Sequence, residues 1–272
     1  MSYTSIMVGV DPGADTPGRV KLAAQVASRF DALLIGVAAQ EPAYPRGYGE
    51  TVMPAGYGIE EVRQAALDKL AGAEQIFRQV ACLNNRIEWR SDIGDPVRYL
   101  EEQSRAADLV VLGRQGSEGR YDRAMSAGPG DALMGLGRPV LLVPPHVEQL
   151  SASRIVVAWK NTAQTRRAIA DAMPLLKSAE AVQVLQVTDS SNRTEIEDVT
   201  LHLERHGVRA TPVQRSKNGS GVAATIQANA DAFGADLIVS GAFGYSRLRE
   251  WFFGGVTRSF LDHSPVCCLM SH

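Results

Sequence analysis

The sequence has no apolar run that approaches the roughly 20 residues of a transmembrane helix, so no membrane span is predicted. Its amino-terminal segment, Met1–Asp11, has neither a basic cluster nor a long apolar stretch, and we expect no signal peptide there. Long basic runs are also missing, and 28 Lys and Arg stand against 30 Asp and Glu. This balance predicts no nucleic-acid partner and no anionic membrane partner.

Cysteine is scarce. There are three cysteines and no Cys-x-x-Cys motif, which is typical of a reducing compartment, and we therefore expect a soluble cytoplasmic protein. Two of them, Cys267 and Cys268, are adjacent in an apolar segment. Successive side chains of a strand point to opposite faces of its sheet, so this pair is predicted to pack in the core and at an interface without redox chemistry.

The motifs of common catalytic sites are missing too. The sequence has no Walker A motif, no Gly-x-Ser-x-Gly elbow and no nucleophile–base–acid set. One pair of imidazoles, His202 and His206, lies one helical turn apart, but Leu203 stands where a zincin has Glu. We therefore predict no metal site and no catalytic residues, and at most a weak ATPase.

What the sequence does contain is a repeat. Of its 272 residues 45% are hydrophobic and 21% charged, as in a globular protein, and about 150 residues per domain allows two small domains. Three segments recur in the same order, which indicates a tandem duplication with domains 1–147 and 152–272. The matched segments are Ser5–Asp11 with Arg154–Lys160, Ala107–Gly113 with Ala235–Gly241, and Arg138–Val143 with Ser264–Leu269.

Each half alternates short apolar, β-branched runs with segments of helical period. This pattern predicts a parallel sheet covered on both faces, so that each half is a doubly wound α/β domain. In the second half we predict strands at 155–160, 181–187, 209–214, 237–240 and 265–270, and helices at 162–178, 193–206, 222–233 and 255–262. Thr162 is a predicted N-cap and Gly207 a predicted C-cap. The first half differs by a Gly-, Pro- and Tyr-rich insertion at 41–58, either a lid or a tolerated surface insertion.

A glycine-rich stretch, Ser240–Thr257, follows the fourth strand of the second half. Gly241 and Gly244 allow tight turns, while Gly254 and Gly255 leave N–H groups open at a helix N-terminus, where the dipole favours an anion. The stretch can be a phosphate site or a connection that lets the helix pack tightly on the sheet. Spacing alone leaves both readings open.

The spacing Gly-x2-Gly-x9-Gly followed by Val-Thr resembles the nucleotide-binding signature of the universal stress protein family, and the tandem arrangement resembles its two-domain members. The resemblance implies adenine nucleotide alpha hydrolase-like sheets of strand order 3-2-1-4-5, a fifth strand used in pairing, and ATP or AMP as ligand. It implies that Gly241 and Gly244 shape the ribose and phosphate turn and that N–H groups of the helix start meet the phosphates. The implied binding residues are Gly241, Gly244, Gly254, Gly255, Val256, Thr257, Lys160 and, beside the adenine, Val187.

The second half departs from this pattern at two places. Gly255 stands where nucleotide-binding members have Ser or Thr, so a hydroxyl is lost while the N–H remains. Lys160 replaces the Asp that ends their first strand; it cannot accept a hydrogen bond from ribose but can pair with a phosphate. The neighbouring Trp159 can either block the pocket or stack on a base.

The first half departs differently. It keeps Asp11, but its loop is two residues longer between the second and third matched glycines. Pro129 has no N–H where the signature donates one, and Asp131 adds a negative charge at the same place. We predict that this half has lost its nucleotide site and that the chain binds one nucleotide.

These observations favour a cytoplasmic, nucleotide-responsive regulator of the stress response. The alternatives are a nucleotide-free interaction scaffold with its pocket filled by Trp159 and, less favoured, a slow ATP hydrolase that uses Thr257, Ser246 or Arg247. Apolar edge strands need cover, so the fifth strands, at 141–143 and 267–270, are expected to pair within the chain. A homodimer formed through the insertion at Tyr44–Tyr57 is a further expectation.

Overall fold

The computed structural model of the chain describes residues 2–42, 58–82, 84–114, 124–217, 219, 221–243 and 255–272. The first half contains β1 (Ser5–Gly9), α1 (Thr16–Phe30), β2 (Leu33–Gln40), α2 (Ile59–Val80), β3 (Ile87–Ile93), α3 (Pro96–Ser104), β4 (Leu109–Gly113), α4 (Pro129–Gly135) and β5 (Val140–Val143). The second contains β6 (Arg154–Trp159), α5 (Ala163–Ser178), β7 (Ala181–Val187), α6 (Thr194–Arg205), β8 (Ala210–Arg215), α7 (Val222–Phe233), β9 (Leu237–Gly241), α8 (Gly255–His263) and β10 (Cys267–Ser271). The second-half elements lie within two residues of the bounds expected from sequence.

Local chemistry fixes several helix ends. The Thr162 hydroxyl accepts a hydrogen bond from the Thr165 N–H at 3.2 Å and so caps α5 as predicted. Asp95 caps α3 in the same way, and Pro96 occupies the first helical position, where no N–H is needed. Gly207 follows α6 with φ of +82°, a conformation that glycine adopts without strain.

The two halves share one sheet. The strand order is β3-β2-β1-β4-β5-β10-β9-β6-β7-β8, so each half has the order 3-2-1-4-5 expected from the resemblance. Neighbouring strands are parallel except β5 and β10, which pair antiparallel with Cys268 opposite Leu142. The predicted pairing of the fifth strands within the chain is confirmed, and it leaves no unpaired edge at either of them.

Helices cover both faces of this sheet. Successive side chains of β1 point to opposite faces, so Ile6 and Val8 pack on one side and Met7 on the other. The first face buries α1, α2, α5 and α6, and the second buries α3, α4, α7 and α8. Each apolar layer is continuous through both halves, which makes the antiparallel β5–β10 joint part of the core.

The cysteines of β10 lie in these two layers as the sequence predicts, Cys267 on the first face and Cys268 on the second. Both are buried free thiols. Burial raises the pKa of the Cys268 thiol to about 12, so it stays protonated at neutral pH. Packing accounts for both residues.

Side chains and the linker also join the halves. The Tyr3 hydroxyl donates to the Asp171 carbonyl at 2.7 Å, and Lys21 on α1 pairs with Glu148 of the linker at 2.8 Å. None of the described helices combines the length and apolar character needed to span a bilayer. Most of the Tyr-rich insertion, with the homodimer predicted through it, lies outside the described residues.

Candidate functional sites

The described start of the glycine-rich stretch, residues 240–243, lies at the carboxyl edge of β9. β6 has β9 and β7 as neighbours, and the crevice between β6 and β9 is the usual ligand position of such folds. Lys160 follows β6 and is exposed, Gly241 ends β9, and Val187 ends β7 and is half-buried. Gly244 and Gly254 lie outside the described residues.

Helix α8 begins at this edge. Gly255 is exposed, and a Cβ placed on it would have no described atom within 4 Å. Val256 is half-buried and Thr257 is buried. The Thr257 hydroxyl accepts a hydrogen bond from the Phe243 N–H at 3.4 Å and so ties the start of the loop to the helix.

Gly241 has a packing role of its own. A Cβ on it would stand 2.5 Å from the Thr165 nitrogen and 2.8 Å from the Gln164 carbonyl carbon, both in the first turn of α5. Glycine is therefore required for α5 to sit directly against β9. This contact involves α5, not the helix that follows the glycine-rich stretch, and it explains Gly241 without a ligand.

Trp159 is 7% exposed and belongs to the apolar layer beneath α5 and α6. Its indole Nε1 is buried without a hydrogen-bond partner among the described residues. The ring is thus part of the core, which favours the filled pocket over stacking on a base. The matching residue of the first half, Val10, is much smaller.

That half contains the feature the sequence did not predict. A cavity of about 860 Å³ opens at the carboxyl edge of β1, β2 and β4, lined by Val10, Ala39 and Gly113 at the strand ends. The linker residues Pro144–His146 form another wall, and Pro265 of the second half completes it. The two halves therefore differ at their corresponding carboxyl edges, which lie at opposite ends of the shared sheet.

An ion pair forms one wall of this cavity. The Asp11 carboxylate pairs with the Arg19 guanidinium at 2.7 Å, and only 7% of the Arg19 side chain is exposed. The Asp11 Oδ1 accepts from the Gly13 N–H and the Thr16 hydroxyl, each at 2.8 Å. Arg19 Nε donates to the Gly9 carbonyl at 3.0 Å, which holds the side chain beneath the strand ends.

These partners set the charge of Asp11. Burial alone would raise the pKa of its carboxyl, but the Arg19 guanidinium and the hydrogen bonds from Thr16 and Gly13 hold that pKa below its usual value. Asp11 is therefore ionised at neutral pH and already has a partner at both oxygens. The sequence singled out Asp11 but gave no sign of Arg19.

Arg19 also occupies the space between α1 and the end of β4. The three atoms nearest to a Cβ placed on Gly113 all belong to the Arg19 side chain. At the matching place in the second half, Gly241, the nearest atoms are those of the helix start itself. The arginine side chain thus lies between α1 and β4, whereas α5, with Ala168 at the matching position, packs directly on β9.

Arg114 connects the cavity with the second half. It lines the cavity, and its Nη1 donates to the Asp262 carbonyl near the carboxyl end of α8. A cation at a helix C-terminus is favourable because the helix dipole is negative there. Its Nε is buried without a partner among the described residues. α4 begins nearby with Pro129 after the N-cap residue Gly128, which makes no side-chain capping hydrogen bond, and Asp131 lies in the first turn.

Comparisons with known proteins agree with this architecture. The family model of the universal stress protein family matches residues 152–272. A universal stress protein from Archaeoglobus fulgidus DSM 4304 is 15% identical, covers 98% of this chain and 95% of its own, and superposes with a TM-score of 0.69. A functionally unknown protein from Pseudomonas aeruginosa PAO1 is 16% identical, with 99% and 92% coverage and a TM-score of 0.57.

A shorter universal stress protein, solved in complex with cAMP, is 24% identical over 53% of this chain and 99% of its own, with a TM-score of 0.36; its ligand does not carry over to this chain. The search of curated proteins finds no significant match. Residues 152–272 thus match the universal stress protein family, and the whole chain shares its fold with the two-domain-sized universal stress protein from Archaeoglobus fulgidus.

Proposed function

We propose that the protein is a cytoplasmic, nucleotide-responsive regulator that binds one adenine nucleotide, ATP or AMP, at the glycine turn of its second half. The observation that carries the proposal is the start of α8 beside the end of β9, where the Thr257 hydroxyl accepts from the Phe243 N–H and Gly255 is exposed. The N–H groups and the positive dipole end of a helix N-terminus favour a phosphate. The match of residues 152–272 to the universal stress protein family supports the same ligand class.

Lys160 supplies the charge in this proposal. It is exposed directly after β6, at the edge where α8 begins, and its ammonium group can approach a phosphate placed on the helix N-terminus. Val187, at the end of β7, offers apolar contact for the adenine. The Thr257 hydroxyl is bonded to the Phe243 N–H and so joins the start of α8 to the end of β9.

We expect Lys160→Ala to weaken ATP binding about tenfold or more, because it removes one charge-assisted contact with phosphate. Adenosine, which has no phosphate, should bind the variant and the unchanged chain equally. Isothermal titration at fixed ionic strength measures both. Lys177→Ala is the matched control, since Lys177 is also exposed but lies in the last turn of α5, far from α8. Equal loss of ATP and adenosine binding would contradict the role of Lys160.

The nucleotide-free scaffold is the second candidate, and the burial of Trp159 favours it. In that case the unchanged chain binds no ATP, and Trp159→Val, which copies Val10 of the first half, opens a pocket and gains binding. The nucleotide proposal expects binding before the substitution. Steady-state phosphate release tests the slow ATP hydrolase, and we expect none above background.

A further inference from the structure

The cavity of the first half presents a hydrogen-bond donor beside the carboxylate of Asp11. Both Asp11 oxygens are engaged, Oδ1 by the Gly13 N–H and the Thr16 hydroxyl and Oδ2 by Arg19 Nη2. Oδ1 thus accepts two hydrogen bonds and Oδ2 one, so a single acceptor position of this carboxylate is left for a ligand. Ribose hydroxyls and the adenine amine, which need acceptors, can use only that position.

The donor is Arg19 Nη1. Nε of this side chain is bonded to the Gly9 carbonyl and Nη2 to Asp11 and Thr16, whereas Nη1 has no acceptor among the described residues. It lies over Gly113, at the wall of the cavity, and only glycine at that position leaves room for it. A guanidinium that is more than nine-tenths buried and held from two sides is a preorganised anion contact.

The remaining walls limit the charge and shape of the ligand. Two guanidinium groups, Arg19 and Arg114, and two carboxylates, Asp11 and Asp15, are among the described lining residues, so their formal charges cancel. A single negative charge is accepted at Arg19, while a polyphosphate would be repelled by both carboxylates. Most other lining residues are apolar, among them Val37, Leu100 and Leu112.

We propose that this cavity is a second ligand site, which binds a small organic monocarboxylate: its carboxylate accepts from Arg19 Nη1 and its apolar body fills the space beneath the linker. A volume of about 860 Å³ is in the usual range for small-molecule sites. The inference does not depend on nucleotide binding by the second half, since it rests on residues at the opposite edge of the shared sheet. ATP is not expected to enter this cavity.

The test is a paired panel of small aromatic and aliphatic monocarboxylates, each with its own primary amide, titrated into the full chain. The amide keeps the shape and removes the charge, so the ratio of the two dissociation constants isolates the contact with Arg19. We expect at least one carboxylate to bind ten times more tightly than its amide, and a tenfold excess of ATP to leave that binding unchanged. A panel with no such preference, or displacement by ATP, would overturn the proposal.

Two variants locate the site. Gly113→Ala puts a methyl group against Arg19 Nη1, and Asp11→Asn with Arg19→Gln neutralises the pair while keeping amides that hydrogen-bond. Both should reduce the preference for the carboxylate to about one. The matched control is Glu74→Gln with Arg78→Gln, which neutralises a more exposed ion pair on α2 and should retain the preference. A preference that persists in both cavity variants would place the carboxylate elsewhere.

Discussion

Asp11→Ala is expected to lower the free energy of unfolding by about 3–5 kcal/mol, because it leaves the Arg19 guanidinium buried without its counter-charge. The Thr16 hydroxyl and the Gly13 N–H lose their acceptor in the same step. Urea unfolding followed by circular dichroism measures the loss. The control is Asp15→Ala in the same loop, where a 42% exposed carboxylate lies 3.8 Å from an exposed His146 imidazole; it should cost under about 0.5 kcal/mol.

The double variant Asp11→Ala with Arg19→Leu should recover most of this loss, since a buried ion pair can be replaced by apolar side chains at little cost. The second half supports this expectation, because its matching positions are Lys160 and Ala168 and its fold is the same. If Asp11→Ala is no more destabilising than Asp15→Ala, the pair does not hold α1 against the strand ends.

The sign of the pH dependence follows from the lowered pKa of Asp11. The ion pair contributes fully above the pKa of an aspartate in the unfolded chain, about 3.9. Its contribution is lost as the pH falls below that value towards the lower pKa of the folded chain. Asp11→Ala should therefore show a shallower loss of stability in this acid range than the unchanged protein.

Cys268→Asp is expected to separate the halves, with a loss of several kcal/mol, because it places a carboxylate at a fully buried position of the β5–β10 joint. Hydrogen exchange should show protection lost in both strands together, at 140–143 and 267–271. If the Cys268→Asp protein does not accumulate, Val266→Asp can replace it. Val266 is half-buried just before β10, so a carboxylate there should destabilise the joint less.

Cys82→Asp serves as the control, since Cys82 is exposed and its replacement should leave exchange in both strands unchanged. Cys268→Val, which keeps the apolar volume, should also preserve the joint. Loss of protection in β10 with β5 still protected would show that the two strands are not one cooperative unit.

The sequence predicted the fold well because its signals are local and occur twice. Short β-branched runs alternate with helical segments in both halves, and the Thr162 cap and Gly207 are readable from residue type and position. Pairing of the fifth strands followed from the need to cover two apolar edges. Each of these inferences needs only residue types, their positions and the spacing of apolar residues along the chain.

The differences between the two edges could not be predicted, because they depend on which side chain stands between a helix and a strand. Arg19 reads as an ordinary charge on α1 until the fold places it against Gly113 and Asp11. The sequence does not decide whether Trp159 blocks the pocket or stacks on a base, because the burial of its ring depends on how α5 and α6 pack. Gly241 matches the pattern of a phosphate turn, but the fold also shows it in close contact with the first turn of α5.

The most direct test of the account is the number of adenine nucleotides bound per chain of 272 residues, measured by equilibrium dialysis with radiolabelled ATP. The account predicts one ATP per chain, with binding weakened by Lys160→Ala and unaffected by the Asp11→Asn and Arg19→Gln pair. Two equivalent sites, or none at saturating ATP, would contradict it.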